Sequence, residues 1–213
     1  IVSLEHDILN TPGRVGLVNS IKDLGKNFSK ETGIQLHYSG LPFIRTKTAK
    51  KIEDELLLFV ILAMFIASAA LFFFFRSFKA MFFPMIIVLI SVVWALGTIS
   101  LLGYEITILT GIIPPLIIII GVENCIFLLN KYHHEYRAHS NKIKSLVRVV
   151  QRVGNATLLT NATTAVGFAT FIITGNRVLV EFGIVAALNI LSVFVLTVCL
   201  IPIFFSYLPP PKS

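Results

Sequence analysis

Glu123 is the single charge in the 25-residue stretch Ile106–Asn130. A carboxyl group at that depth in an apolar helix is suited to carrying or sensing a proton, because its ionised form costs about 2.5–3.5 kcal/mol in hydrocarbon unless it is paired or hydrated. Asn124 follows it, and Asn161, Thr163 and Thr164 stand in a second apolar stretch, Ala156–Gly175. Glu123, Asn124, Asn161, Thr163 and Thr164 are therefore the proton-coupling candidates, with Glu123 expected to face the interior of a helix bundle beside Thr163 or Thr164. The threonines admit a second reading, back-bonding to carbonyls of their own helix. Asn161 admits one too, a tie between two helices. Pro114 and Pro115 are expected to break or kink the span about two turns before Glu123, as at a transport site or as plain structure.

Other chemistry finds no support. The apolar stretches contain no histidine and no aspartate, and no nucleophile–base–orienter set or phosphate-binding loop is present. The chain is expected not to be an enzyme, to take no cofactor and to hold no metal. His133, His134 and His139 sit in a basic segment without a ligand cluster and read as interfacial. Cys125 and Cys199 lie within apolar runs and read as small buried hydrophobes. Glu181 falls in the first turn of the last apolar stretch, where a carboxylate favours the positive helix end.

The elements that must carry these residues follow from composition. Of 213 residues, 55% are hydrophobic and 14% charged, against about 25% charged in a soluble domain, and the mean hydropathy is +0.85. A bilayer removes the need to hide that surface from water. Five stretches are long enough to cross about 30 Å of hydrocarbon at 1.5 Å per residue: 56–75, 80–102, 106–130, 156–175 and 178–207. The fold class predicted is an all-α membrane bundle of about five transmembrane helices with a short α+β extramembrane segment at the N-terminus. The net charge of +7 does not point to nucleic acid, since the basic residues flank apolar spans rather than exposed aromatics.

Residues 1–50 read as the C-terminal part of a larger extracytoplasmic domain. Thr11-Pro12 is a predicted helix start, Val15–Glu31 has apolar residues at helical spacing, Gly33 is placed to stop the helix, and Ile34–Tyr38 alternates like a short strand. The bundle occupies 51–208 and a tail 209–213. Between spans three and four, Lys131–Arg152 is predicted to be an amphipathic helix on the cytoplasmic membrane surface. Arg76, Lys79, Lys131, Arg137, Lys142, Lys144, Arg148, Arg152 and Lys212 fall at one end of the spans, against Arg45, Lys47, Lys50, Lys51 and Arg177 at the other. Nine against five places the first end in the cytoplasm. Exporting residues 1–50 then needs a helix upstream of Ile1, so the chain is expected to be a piece of a longer protein.

Four passages carry a family resemblance: Phe75-Arg76-Ser77-Phe78 with Pro84; Ile113-Pro114-Pro115 followed by Gly121-Val122-Glu123-Asn124 and Ile126-Phe127-Leu128-Leu129; Thr160-Asn161-Ala162-Thr163-Thr164-Ala165-Val166-Gly167-Phe168; and Glu181-Phe182-Gly183. In this order the chain resembles the second to sixth helices of one half of a resistance–nodulation–division (RND) transporter, closest to the MMPL/Patched-like branch with its sterol-sensing domain. The resemblance implies a multi-pass protein of the inner or plasma membrane. It implies a permease exporting hydrophobic or lipid-like substrates on the proton gradient. The implied partners are the bilayer, such a substrate and a missing second half, with self-association left open. A lipid-binding sensor of the sterol-sensing type, or a protein-export auxiliary, are the alternatives. The resemblance also marks Glu123 as the coupling position, although glutamate followed by asparagine stands where the family usually has aspartate.

Overall fold

The computed structural model describes residues 13–104, 106–139 and 141–207. They form six helices: α1 (Gly13–Thr32), α2 (Leu41–Phe75), α3 (Phe78–Leu101), α4 (Ile113–His139), α5 (Lys142–Ala169) and α6 (Arg177–Tyr207). One 3₁₀ turn, Thr110–Ile112, precedes α4, and another, Thr170–Ile173, follows α5. The predicted Thr11-Pro12 helix start and the 209–213 tail lie outside the described residues. Each of the five predicted spans has its helix, long and apolar enough to cross a membrane, although 106–112 precede α4 and 170–175 follow α5.

The helix boundaries follow from local chemistry. Gly33 takes φ +72° and its N–H reaches Ser29 O, ending α1 as expected. Arg76 closes α2 in the left-handed region (φ 45°), donating its N–H to Phe72 O, and Ser77 then returns to extended backbone to start α3. This two-residue corner is the structural content of Phe75-Arg76-Ser77-Phe78. At the far end of α3, Gly103 (φ +66°) donates to Ser100 O while Tyr104 donates to Ile99 O, the paired bonds of a Schellman stop. Asn141 caps α5 by accepting from Lys144 N at 3.0 Å, and Asn176 caps α6 by accepting from Val178 N at 3.0 Å.

α4 and α6 are central. α4 packs against α2, α3, α5 and α6, and α6 packs against α3, α4 and α5. Two apolar clusters fill the interior. One, around Leu71, Val88, Val92, Ile117, Val185 and Val193, joins α2, α3, α4 and α6. The other, around Ile87, Cys125, Leu129, Tyr132, Val149 and Phe205, lies nearer the basic end. α2 and α5 are peripheral: only 11% and 17% of their most apolar windows are buried, against 56% for α4. Gly183 permits a close approach of two helix backbones. A Cβ there would stand 2.6 Å from Phe168 O, so α6 meets the end of α5 backbone to backbone.

Two expectations are corrected, and a third resolves between its alternatives. Ile34–Tyr38 has no secondary structure, and no strand occurs among the described residues. Alternation over five residues has no ladder to join here, and an isolated strand leaves its backbone groups unpaired. Lys131–Arg152 is not one surface helix. α4 runs on to His139 and α5 begins at Lys142, so the basic segment is the projecting ends of two long helices, separated by the Asn141 cap. Of the break or kink expected at Pro114 and Pro115, the structure has the break: the predicted span 106–130 is α-helical only from Ile113 onward. The two prolines stand in the first turn of α4, where a missing N–H costs no helical hydrogen bond, and the 3₁₀ turn precedes them.

Candidate functional site

α4 rotates its residues by about 100° per step, and this decides which polar groups meet. Gly121, Val122, Asn124, Cys125, Leu128 and Leu129 are turned into the bundle, while Ile119, Glu123 and Phe127 form a stripe on its open surface. Asn124 is therefore the polar residue that enters the interior, at 4% exposure. It is met by Asn161 of α5, also 4% exposed. Asn161 Nδ2 donates to Asn124 Oδ1 at 2.9 Å, and Asn124 Nδ2 donates to Asn161 Oδ1 at 3.3 Å. Asn161 Nδ2 also donates to Thr157 O at 2.7 Å. Of the two readings of Asn161, the tie between helices is the geometry observed.

Glu123 does not face the bundle interior, contrary to expectation. It is exposed and makes no hydrogen bond or ion pair among the described residues. The threonines expected beside it bond within their own helix. Thr163 Oγ1 donates to Leu159 O and Thr160 O at 3.0 and 2.8 Å, and Thr164 Oγ1 donates to Thr160 O at 2.8 Å. Thr163 is exposed like Glu123. Thr164 is half-buried, and the other four candidates divide in two. Asn124 and Asn161 lock α4 to α5, while Glu123 and Thr163 lie on the bundle's open surface.

Sequence reasoning did not single out two further polar positions, Asn189 and Glu135. Asn189 of α6 is buried, donates from Nδ2 to Val185 O at 2.8 Å, and accepts from Thr98 Oγ1 of α3 at 3.4 Å. The signal was an amide inside a span, the same signal that marked Asn161. Glu135, 4% exposed, lies in the projecting end of α4 among Lys131 (3.5 Å), Arg148 (3.7 Å) and Arg152 (3.8 Å). Two of those cations come from α5, so the cluster fastens the two helices where they leave the apolar zone. Glu181 stands at the start of α6 as expected, but it is buried, and Arg177 Nε donates to its Oε1 at 2.7 Å. Among the described residues no group of three or more His, Cys, Asp or Glu side chains is placed to hold a metal.

Chemically, the arrangement offers one uncommitted carboxyl at mid-span, held at a fixed rotation by the neighbouring amide pair. Residues 9–209 match the sequence model of the MMPL family. A protein of Methanocaldococcus jannaschii named "Putative membrane protein MJ1562" is 31% identical over 132 residues, which cover 62% of this chain and 34% of the relative. The match thus spans about a third of that relative's length.

Proposed function

The chain belongs to the MMPL family of multi-pass membrane proteins within the RND superfamily, and from that premise we propose that it is the membrane block of a secondary transporter that exports hydrophobic or lipid-like molecules on the proton gradient. One observation carries the reading. Glu123 projects from the middle of a membrane span onto an open face of the bundle, with no partner in its own chain among the described residues. A carboxylate facing hydrocarbon is costly, so the arrangement makes sense when a second protein surface brings a cation or water to it. A second half of the transporter is the surface we assign to that face. Protonation and release at Glu123 would then alternate as the two surfaces move, with about 2.3 kcal/mol available per proton per 100 mV. The reading is of a non-enzymatic protein.

The test uses the longer protein that carries this chain and its second half, in proteoliposomes with a pH-sensitive dye inside. Glu123→Gln is expected to abolish proton flux coupled to substrate export while leaving insertion unchanged, and Glu123→Asp to keep part of it. Normal coupling in Glu123→Gln assigns coupling elsewhere.

A non-pumping lipid sensor is the second reading. It is favoured by an apolar groove of about 530 Å³ along α3, lined by Leu89, Val93, Trp94, Gly97 and Leu101. Lipid-dependent binding of a partner protein without proton flux would select it.

A further inference from the structure

At the end of the bundle opposite the basic one, two clefts adjoin. The first, about 470 Å³, is polar and is lined by Arg14, Arg45, Thr107, Arg177 and Glu181. The second, about 400 Å³, is mainly apolar and is lined by Ile44, Ile106, Ile108, Leu109 and Val178. Arg14, Arg45, Thr107 and Val178 line both, so the two are continuous. Four separate segments build the pair: the start of α1, the first turns of α2, the link between α3 and α4, and the turn into α6. Ile106 begins a run of apolar and neutral residues that meets no charge before Glu123, so the apolar trough opens where hydrocarbon begins and the polar cleft, with Arg177 and Glu181, lies beyond it. Arg177 is engaged by Glu181. Arg45 is exposed and makes no ion pair or hydrogen bond among the described residues.

We propose that this double cleft binds a single anionic amphiphile from the adjoining leaflet, its phosphate or carboxylate head on Arg45 and its hydrocarbon chain in the Ile106–Leu109 trough. A planar guanidinium offers an anionic oxygen pair two parallel donors. The trough removes part of an acyl chain from contact with water where the chain leaves the bilayer. Neither cleft alone selects such a ligand: a polar cleft takes any small anion, and an apolar trough takes any hydrocarbon. Their junction at Arg45 selects a molecule that is both. Binding here does not depend on proton coupling, and a chain that never pumps would hold the same site.

Native mass spectrometry of the 213-residue chain, released from detergent containing equal phosphatidylglycerol and phosphatidylcholine, tests this. Phosphatidylglycerol is expected to be retained in preference. Arg45→Gln is expected to weaken that retention about tenfold, Arg45→Lys to weaken it less, and Lys47→Gln, an exposed charge outside both clefts, to leave it unchanged. Equal retention of the two lipids overturns the proposal, as does unchanged preference in Arg45→Gln. An equal loss in Lys47→Gln makes the attraction diffuse and overturns it too. Glycerol 3-phosphate at the lipid's concentration is expected not to compete. If it displaces the lipid, the site takes a free phosphate and the trough plays no part.

Discussion

Asn124 of α4 and Asn161 of α5 donate to each other's side-chain oxygens inside the bundle, at 3.3 and 2.9 Å. The pair sets both the register of the two helices and their relative rotation. Because Asn124 must face α5, Glu123, one step round the helix, is held on the open face.

Removing one partner strands the other. Asn161→Leu leaves the Asn124 amide buried without its partner, and the expected loss of stability is about 1–2 kcal/mol, given the modest value of such bonds in membranes. The double variant Asn124→Leu/Asn161→Leu is expected to lose less than the sum of the two single variants. Unfolding of the detergent-solubilised chain, followed by circular dichroism, measures the cycle. Strict additivity would show that the two amides are not coupled.

Gly183→Ala places a methyl group 2.6 Å from Phe168 O and 2.9 Å from Phe171 Cβ. The α5–α6 contact must open, at an expected cost of about 1–3 kcal/mol. Gly97→Ala is the control, since nothing lies within 4 Å of the added atom, and in mid-helix the change is expected to be neutral or mildly stabilising. Equal melting temperatures for the two variants refute the close approach.

The Glu135 cluster predicts a salt effect of definite sign. Glu135→Gln leaves Lys131, Arg148 and Arg152 facing one another without their shared anion. The variant is expected to melt below the parent at low ionic strength. Added salt is expected to stabilise the variant, by screening the three cations, and to weaken the parent slightly. Identical salt responses would remove the cluster from the forces joining α4 to α5.

Orientation is open to labelling. Lys47→Cys and Lys144→Cys both place an exposed thiol beyond the spans, at opposite ends. An impermeant maleimide is expected to label Lys47→Cys in intact cells and Lys144→Cys only after permeabilisation. The reverse pattern would invert the topology drawn from the nine-against-five charge asymmetry.

Glu135 and Asn189 illustrate which features the sequence left hidden, and the spans show what it exposed. Runs with at most one charge located all five crossing helices, because hydrocarbon penalises charge wherever the helix points. Gly33 and the Phe75–Phe78 corner were legible since stops depend on local backbone chemistry. Rotation was not. A helix apolar on every side carries no stripe to say which face packs, so the inward direction assigned to Glu123 fell on its neighbour Asn124. The basic segment 131–152 misled for a related reason. Its apolar positions Ile143, Leu146, Val147 and Val150 suggested a membrane surface, but buried Leu146 and the neighbouring Val149 pack in the bundle's second cluster. The Glu135 ion cluster joins residues distant in sequence, and only the α4–α5 hairpin brings them together.

α2 runs for 35 residues, from Leu41 to Phe75, with no glycine and no proline after Pro42. At 1.5 Å per residue that is a rod of about 52 Å, of which the charge-free part accounts for little more than half. Rods of this kind lack the usual sites of bending. Torque applied to the projecting arm, around Arg45 and Lys51, therefore reaches Leu71 and the left-handed corner at Arg76 without being absorbed on the way. α2 is peripheral except where Ala67 and Leu71 enter the core, so the rod links whatever grips its outer arm to that anchored end on the far side of the membrane.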